Sequence, residues 1–162
     1  MAKPPKKQEK PAELLVAQNR AASYNYTLLE KLEAGMVLLG TEVKSLRESR
    51  SNLRDAYGVI RRGEVWLVNL HIGEYFPGGP YNHTPLRTRK LLLHKEQIDK
   101  LERKLEAKGL TLVPLRIYFR EGVAKCEIAL AQGKKKWDRR QTERDKESKK
   151  EVGEAMRQSR HR

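Results

Sequence analysis

Two stretches of alternating apolar and polar residues, each turned back at a tripeptide ending in glycine, limit what this chain can become. Asp55–Ile60 and Glu64–Leu70 flank Arg61-Arg62-Gly63, while Leu112–Phe119 and Val123–Leu130 flank Arg120-Glu121-Gly122. A glycine there accepts the positive φ that a short hairpin demands. In the second pair Leu115, Ile117 and Phe119 share one face, with Arg116, Tyr118 and Arg120 on the other. Ala124, Cys126, Ile128 and Leu130 alternate with Val123, Lys125 and Glu127. Period two with one wet, partly basic face predicts an antiparallel sheet or small barrel.

The remaining elements fit that frame. Gly35–Gly40 and Leu91–Leu93 read as further buried strands. Across His94–Lys108, Ile98, Leu101 and Leu105 recur at helical spacing, Glu96–Lys100 and Asp99–Arg103 form i,i+4 pairs, and Gly109 is placed to end the helix. Thr41–Arg50 carries a weaker helical signal, and 73–84, with Pro77-Gly78-Gly79-Pro80, is a loop. The fold class is mainly β with flanking helices: a small antiparallel β-barrel of oligonucleotide-binding type.

Charge divides the chain into three. The formal net charge is +14. Residues 1–11 carry four basic groups and one acid with three prolines, and cannot bury enough to fold, so they read as a disordered basic arm. Residues 12–132 form the barrel domain. Residues 133–162 hold 12 basic groups and six acids with few apolar residues, which predicts a basic tail disordered when free and helical on a partner. Clustered Lys and Arg point to a polyanion such as nucleic acid. A lone cysteine, Cys126, excludes an internal disulfide, and no zinc-type Cys/His spacing occurs. No apolar run approaches the roughly 20 residues of a membrane span or the core of a signal peptide, so a soluble cytoplasmic protein is expected.

Within Gly133, Lys134, Lys135, Lys136, Trp137, Asp138, Arg139 and Arg140 there are five cations and one indole. Cations neutralise phosphates and Trp stacks on bases. Asn19, Arg20, Tyr24 and Tyr26 make a polar, aromatic entry to the barrel suited to unpaired RNA. Glu42-Val43-Lys44 has the acid-x-Lys form of metal-dependent nucleases, with only Glu30 and Glu33 as nearby upstream acids, so a structural or phosphate-facing role is favoured. His71, His83 and His94 read as ordinary surface or loop histidines. Ser45, Ser49 and Ser51 lack a nucleophile-elbow context, and Gly35 to Gly40 lacks the Lys-Ser/Thr of a phosphate loop. No catalytic constellation, metal or cofactor is expected.

The strings Asn19-Arg20, Glu33-Ala34-Gly35, Gly40 through Arg47, Arg87 through Leu93, Gly133-Lys134-Lys135 and Asp138-Arg139-Arg140 fall in one order over about residues 15–160. Together they resemble the SsrA-binding protein (small protein B) family. The resemblance implies a non-enzymatic factor that binds transfer-messenger RNA and helps bring it, with elongation factor Tu and GTP, into the empty A site of a stalled ribosome. It implies contacts to the tRNA-like domain from Asn19, Arg20, Tyr26 and Glu33, from the neighbourhood of Lys90 and Leu92, and from Lys125. Lys44, Arg47 and Arg89, inside the matching strings, join that set. It also implies that the tail from Gly133 enters the decoding centre and vacant mRNA channel against small-subunit ribosomal RNA. Trp137 stands where the family commonly has Tyr or His, and Arg139 where Lys is usual. The loop 73–84 is expected to be variable. The remaining alternative is a generic single-stranded-RNA or ribosome-associated protein of the same barrel type.

Overall fold

The computed structural model describes residues 12–107 and 109–160. The expected disordered arm, 1–11, lies outside the described residues. From the N-terminal end come β1 (Glu13–Gln18), α1 (Ala22–Asn25), β2 (Tyr26–Met36), α2 (Gly40–Arg47), β3 (Ser51–Asn52), β4 (Tyr57–Arg61), β5 (Glu64–Val68) and β6 (His71–Ile72). A 3₁₀ turn (Phe76–Tyr81) follows, then β7 (Arg89–Leu92), α3 (Lys95–Leu105), β8 (Leu110–Arg120), β9 (Val123–Gly133) and α4 (Lys136–Arg160).

Seven strands form one antiparallel sheet in the order β1-β8-β4-β5-β7-β2-β9, and β9 pairs again with β8. Neighbour relations therefore run from β8 through β4, β5, β7, β2 and β9 back to β8. β1 adds to the far half of one β8 edge, where Leu14 faces Phe119 and Gln18 faces Arg116, while β4 meets the same edge at Leu112. That crossing is close: a Cβ on Gly58 would lie 2.7 Å from the Leu112 Cβ, so only glycine fits.

Both hairpins form, as β4–β5 and β8–β9. Leu112, Ile117, Phe119, Cys126, Ile128 and Leu130 join Leu67, Leu91 and Leu101 in the principal core. One detail differs from the sequence expectation. The β8–β9 register slips between Pro114 and Arg116, so Leu115 becomes an extra residue and turns with Val113 toward a smaller cluster of Ala22, Ala129 and Ala131. Proline has no N–H for the ladder, and a bulge is where a strand tolerates it. Burial pushes the Cys126 thiol up to about 12, which makes it an inert core residue.

Two strand assignments also change. β2 was not expected, because Thr27–Ala34 is rich in strong helix formers; the nine-residue edge of β9 captures it from Tyr26 opposite Gly133 to Gly35 opposite Lys125. Gly35–Gly40 is not a buried strand: β2 ends at Met36, Val37 and Leu39 are exposed, and α2 begins at Gly40. α3 lies where its spacing predicts, burying Ile98 and Leu101. The tail, expected to be disordered when free and helical on a partner, is one continuous helix over 136–160. It has no proline, Asp138 accepts from the Lys135 N–H at its start (3.3 Å), and Gln141 reaches Asp145 one turn on (3.2 Å). These are local terms, independent of a core.

Candidate nucleic-acid interface

The polar entry forms where the chain leaves β1. Asn19 is fastened to the β8 bulge, its backbone N–H donating to the Leu115 carbonyl (2.7 Å) and its side-chain amide to that of Pro114 (3.3 Å). The bulge thereby fixes a residue 95 positions away in sequence. Arg20 is exposed beside an open concavity of about 370 Å³ lined by Gln18, Ser23, Lys31, Arg116 and Glu127. A neighbouring concavity of about 410 Å³ is bounded by Asn25, Tyr26, Arg54 and Thr111. The Tyr26 ring is half-buried against the smaller core cluster, so it serves packing as well as the surface. The Tyr24 hydroxyl is engaged by the arm, donating to Glu143 (2.7 Å).

The wet face of the sheet is an ion-pair lattice that joins β1, β2, β8 and β9. Glu13 binds both Arg116 (2.9 Å) and Arg120. Glu127 binds Arg116 (2.6 Å), and Glu33 binds Arg120 (2.9 Å) with Lys125 at 3.9 Å. Tyr118 is buried between the two guanidiniums, 4.5 and 5.3 Å from its ring centre, and its hydroxyl donates to Glu33. Burial first, then this bond to a carboxylate, push the Tyr118 phenol well above its ordinary value. Hydrogen bonds from Arg120 and Arg116 hold the Glu13 carboxyl below its usual range, against a smaller desolvation effect. Glu33 thus already accepts from Tyr118 and Arg120. It thereby ties β2 to β8, with the Lys125 ammonium of β9 close by. Arg116, Tyr118 and Arg120 were missing from the sequence-based site; their alternation onto the basic face was the available signal.

Other candidates separate into surface and interior. Lys90 is half-buried and pairs with Glu64 (2.5 Å), Leu92 is exposed next to it, and Lys44 and Arg47 project from α2 over Tyr75 and Phe119. Arg89 does not reach the surface. It is 0% exposed, bonded to Glu42 (2.8 Å) and to the carbonyls of Leu70, Arg87 and Pro85 (2.7, 2.8 and 3.1 Å), so its assignment as an RNA contact is corrected. A buried guanidinium persists only where every donor finds an acceptor.

Glu42 is the same ion pair from the other side. Burial alone would raise its carboxyl, but bonds from Arg87 (2.8 Å) and the Leu39 N–H (2.8 Å), with the Arg89 charge, hold it below the ordinary range. Glu42-Val43-Lys44 therefore lies on a helix with its acid sequestered and its lysine exposed, which removes the nuclease geometry. Among the described residues, no group of His, Cys, Asp and Glu is arranged to hold a metal ion. His83, expected as an ordinary surface or loop histidine, is instead 5% exposed. Its Nε2 lies 2.9 Å from the Ile72 carbonyl and its Nδ1 2.9 Å from the Thr41 hydroxyl. A carbonyl only accepts, so Nε2 carries the proton.

The arm leaves at Gly133. Lys134 anchors the root: its backbone N–H donates to Asn25 (3.0 Å), and its ammonium to the Ser23 carbonyl (2.9 Å) and the Thr142 hydroxyl (3.1 Å). Lys135, Lys136 and Arg140 are exposed, Asp138 and Arg139 half-buried, and the Trp137 ring is 68% exposed with no core to enter.

Residues 16–158 match the family described as SmpB protein. The chain belongs to the SmpB protein family. Curated relatives named SsrA-binding protein include one from Koribacter versatilis, 53% identical over 88% of this chain and 81% of its own length. Another, from Levilactobacillus brevis, is 49% identical over 93% and 96%. A solved structure described as "tmRNA-SmpB: a journey to the center of the bacterial ribosome" superposes with a TM-score of 0.63 at 49% identity, covering 74% of this chain and 85% of that one. The SmpB match runs from within β1 through most of α4, taking in Glu33, Arg116, Tyr118, Arg120 and Glu127 of the lattice, with Glu13 just before it.

Proposed function

We propose that this chain binds transfer-messenger RNA and carries it to stalled ribosomes for trans-translation, acting by recognition and placement. The observation that carries this is the SmpB match over residues 16–158, joined to a 49%-identical structural relative described with transfer-messenger RNA and the bacterial ribosome. The cycle of paired strands is read as a small barrel of oligonucleotide-binding type. In this reading Asn19, Arg20 and Tyr26 meet the tRNA-like domain beside Lys90, Leu92 and Lys125. Lys44 and Arg47 add phosphate contacts, and Glu33 acts by orienting Arg120 and Lys125. The arm from Gly133 through α4 faces small-subunit ribosomal RNA at the decoding centre and an empty mRNA channel. Delivery occurs with the alanine-charged RNA held by elongation factor Tu and GTP. The wet face supports the reading physically, because Arg20, Lys31 and Arg116 line an open concavity at its edge, where an anionic backbone could meet them.

Competition binding tests it. Labelled transfer-messenger RNA bound to the full chain at about 150 mM salt is challenged with the unlabelled form or with bulk tRNA. Bulk tRNA is expected to compete at least ~10-fold less effectively, a difference of about 1.4 kcal/mol. Equal competition would leave the chain a generic RNA-binding protein.

A further inference from the structure

The segment Gly73–Asn82 is a loop by composition, but it is held like part of the core. The Gly73 N–H donates to the Arg50 carbonyl (2.8 Å), and the Gly73 carbonyl accepts from the Ser45 hydroxyl (2.5 Å). Asn82 closes the far end: its amide donates to the Tyr75 carbonyl (2.6 Å) and its side-chain oxygen accepts from the Tyr75 N–H (3.1 Å). Buried His83 fixes the next residue to Ile72 and Thr41. Pro77 and Pro80 restrict φ, and Gly79 sits at φ +52°, where a side chain would be strained. The ordering entropy of this loop is therefore met before any partner arrives.

On that fixed frame two aromatic rings face water. Phe76 is 77% exposed and Tyr81 88% exposed. Neither helps hold the loop, whose bonds come from Tyr75, Asn82, His83 and backbone. Cations accompany them. The Arg50 guanidinium lies 4.7 Å from the Phe76 ring centre while paired with Glu48 (3.1 Å), and the Lys44 ammonium lies 5.4 Å from the ring of neighbouring Tyr75. A flat apolar ring next to a cation matches one repeat of a nucleic-acid strand, a base followed by a phosphate. A protein partner would want a wider apolar patch, and a net charge of +14 favours a polyanion.

We propose that the loop 73–82 is a second RNA-contact surface, on which Phe76 and Tyr81 stack unpaired bases while Arg50 meets the adjoining phosphate. It extends the proposed function, resting on the chain's being an RNA-binding factor, and lies on elements separate from the Asn19 entry and from the arm. Preordering favours affinity, since little freedom is lost on binding.

The test uses the full chain and two probes, a transfer-messenger RNA transcript and purified small ribosomal subunits, with affinity read by filter binding. Phe76→Ala with Tyr81→Ala is expected to weaken at least one of the two by ~10-fold or more, from loss of about 1–3 kcal/mol of stacking per base. The ring-preserving pair Phe76→Tyr with Tyr81→Phe is expected to bind as the parent does. The alanine pair should melt with the parent, because the rings are exposed. Unchanged binding of both probes by the alanine pair overturns the surface while leaving the proposed function standing. Weakened ribosome binding in which a photo-crosslinker at position 76 labels only ribosomal protein also overturns it. A parent chain that binds neither probe overturns the proposed function, and this surface with it.

Discussion

Arg89 and Glu42 stand in strings that resemble RNA-contacting segments, yet both are wholly enclosed and bonded to each other at 2.8 Å. Removing Glu42 leaves the Arg89 charge buried among carbonyls alone, and removing Arg89 leaves Glu42 buried with Arg87 as its one cationic partner; breaking such a buried pair costs about 3–5 kcal/mol. Arg89→Ala is expected to lose that much stability in urea unfolding, whereas Arg20→Ala, at an exposed site, should cost less than about 0.5 kcal/mol. The pair also sets an acid limb. Glu42 has a folded-state pKa held below its ordinary 4.5, so its contribution is complete above that value and is lost as pH falls through the depressed folded value. Stability measured downward from pH 6 should hold to about pH 5 and then decline, with a shallower decline in Glu42→Gln. Little of this was legible in the sequence. An acid two residues from a lysine looks the same whether the acid coordinates a metal or salt-bridges a buried arginine 47 positions away.

α4 is attached to the body at a few polar points around α1: Lys134 to Ser23 and Asn25, and Tyr24 to Glu143 with Lys146 5.6 Å from the Tyr24 ring centre. The bond to Glu143 comes first in raising the Tyr24 phenol above its ordinary value, so the hydroxyl stays a donor at any physiological pH. The bond lies at the surface, where water competes at both ends, so its loss acts locally. Tyr24→Phe should therefore loosen the first turns of α4, read as about fivefold faster amide exchange over 136–143, with the melting of the sheet unchanged. Equal exchange in the two proteins would show that the latch carries no weight. Elements were partly readable beforehand. The two glycine hairpins and α3 were plain because period and turn chemistry agreed, while β2 was hidden by helix-forming residues that only β9 could pull into a strand. The displacement of Leu115 was hidden for a related reason, since a bulge is set by how two strands meet.

At the scale of the whole molecule, the lattice on the wet face draws Glu13, Glu33, Arg116 and Arg120 from positions up to 107 residues apart, which no local pattern announces. The arm was legible by contrast, because cation density with few apolar residues is a local property; a helix was expected of it on a partner, and 136–160 is helical in the structure. This division of labour predicts separable functions. β9 ends at Gly133 and Lys134 keeps its bonds to Ser23 and Asn25, so a cut after Lys135 removes the Lys134–Thr142 and Tyr24–Glu143 bonds but leaves every strand pairing in place. The shortened protein should melt like the full chain and keep its preference for transfer-messenger RNA over bulk tRNA. Its affinity at about 150 mM salt should fall by no more than about tenfold, with a smaller salt slope because fewer counterions are released. In a reconstituted translation reaction on ribosomes stalled at the end of a message, peptide tagging should drop to background. Normal tagging would mean that the sheet domain alone positions the RNA and that α4 is dispensable. Lost RNA preference would place part of the recognition surface on the helix.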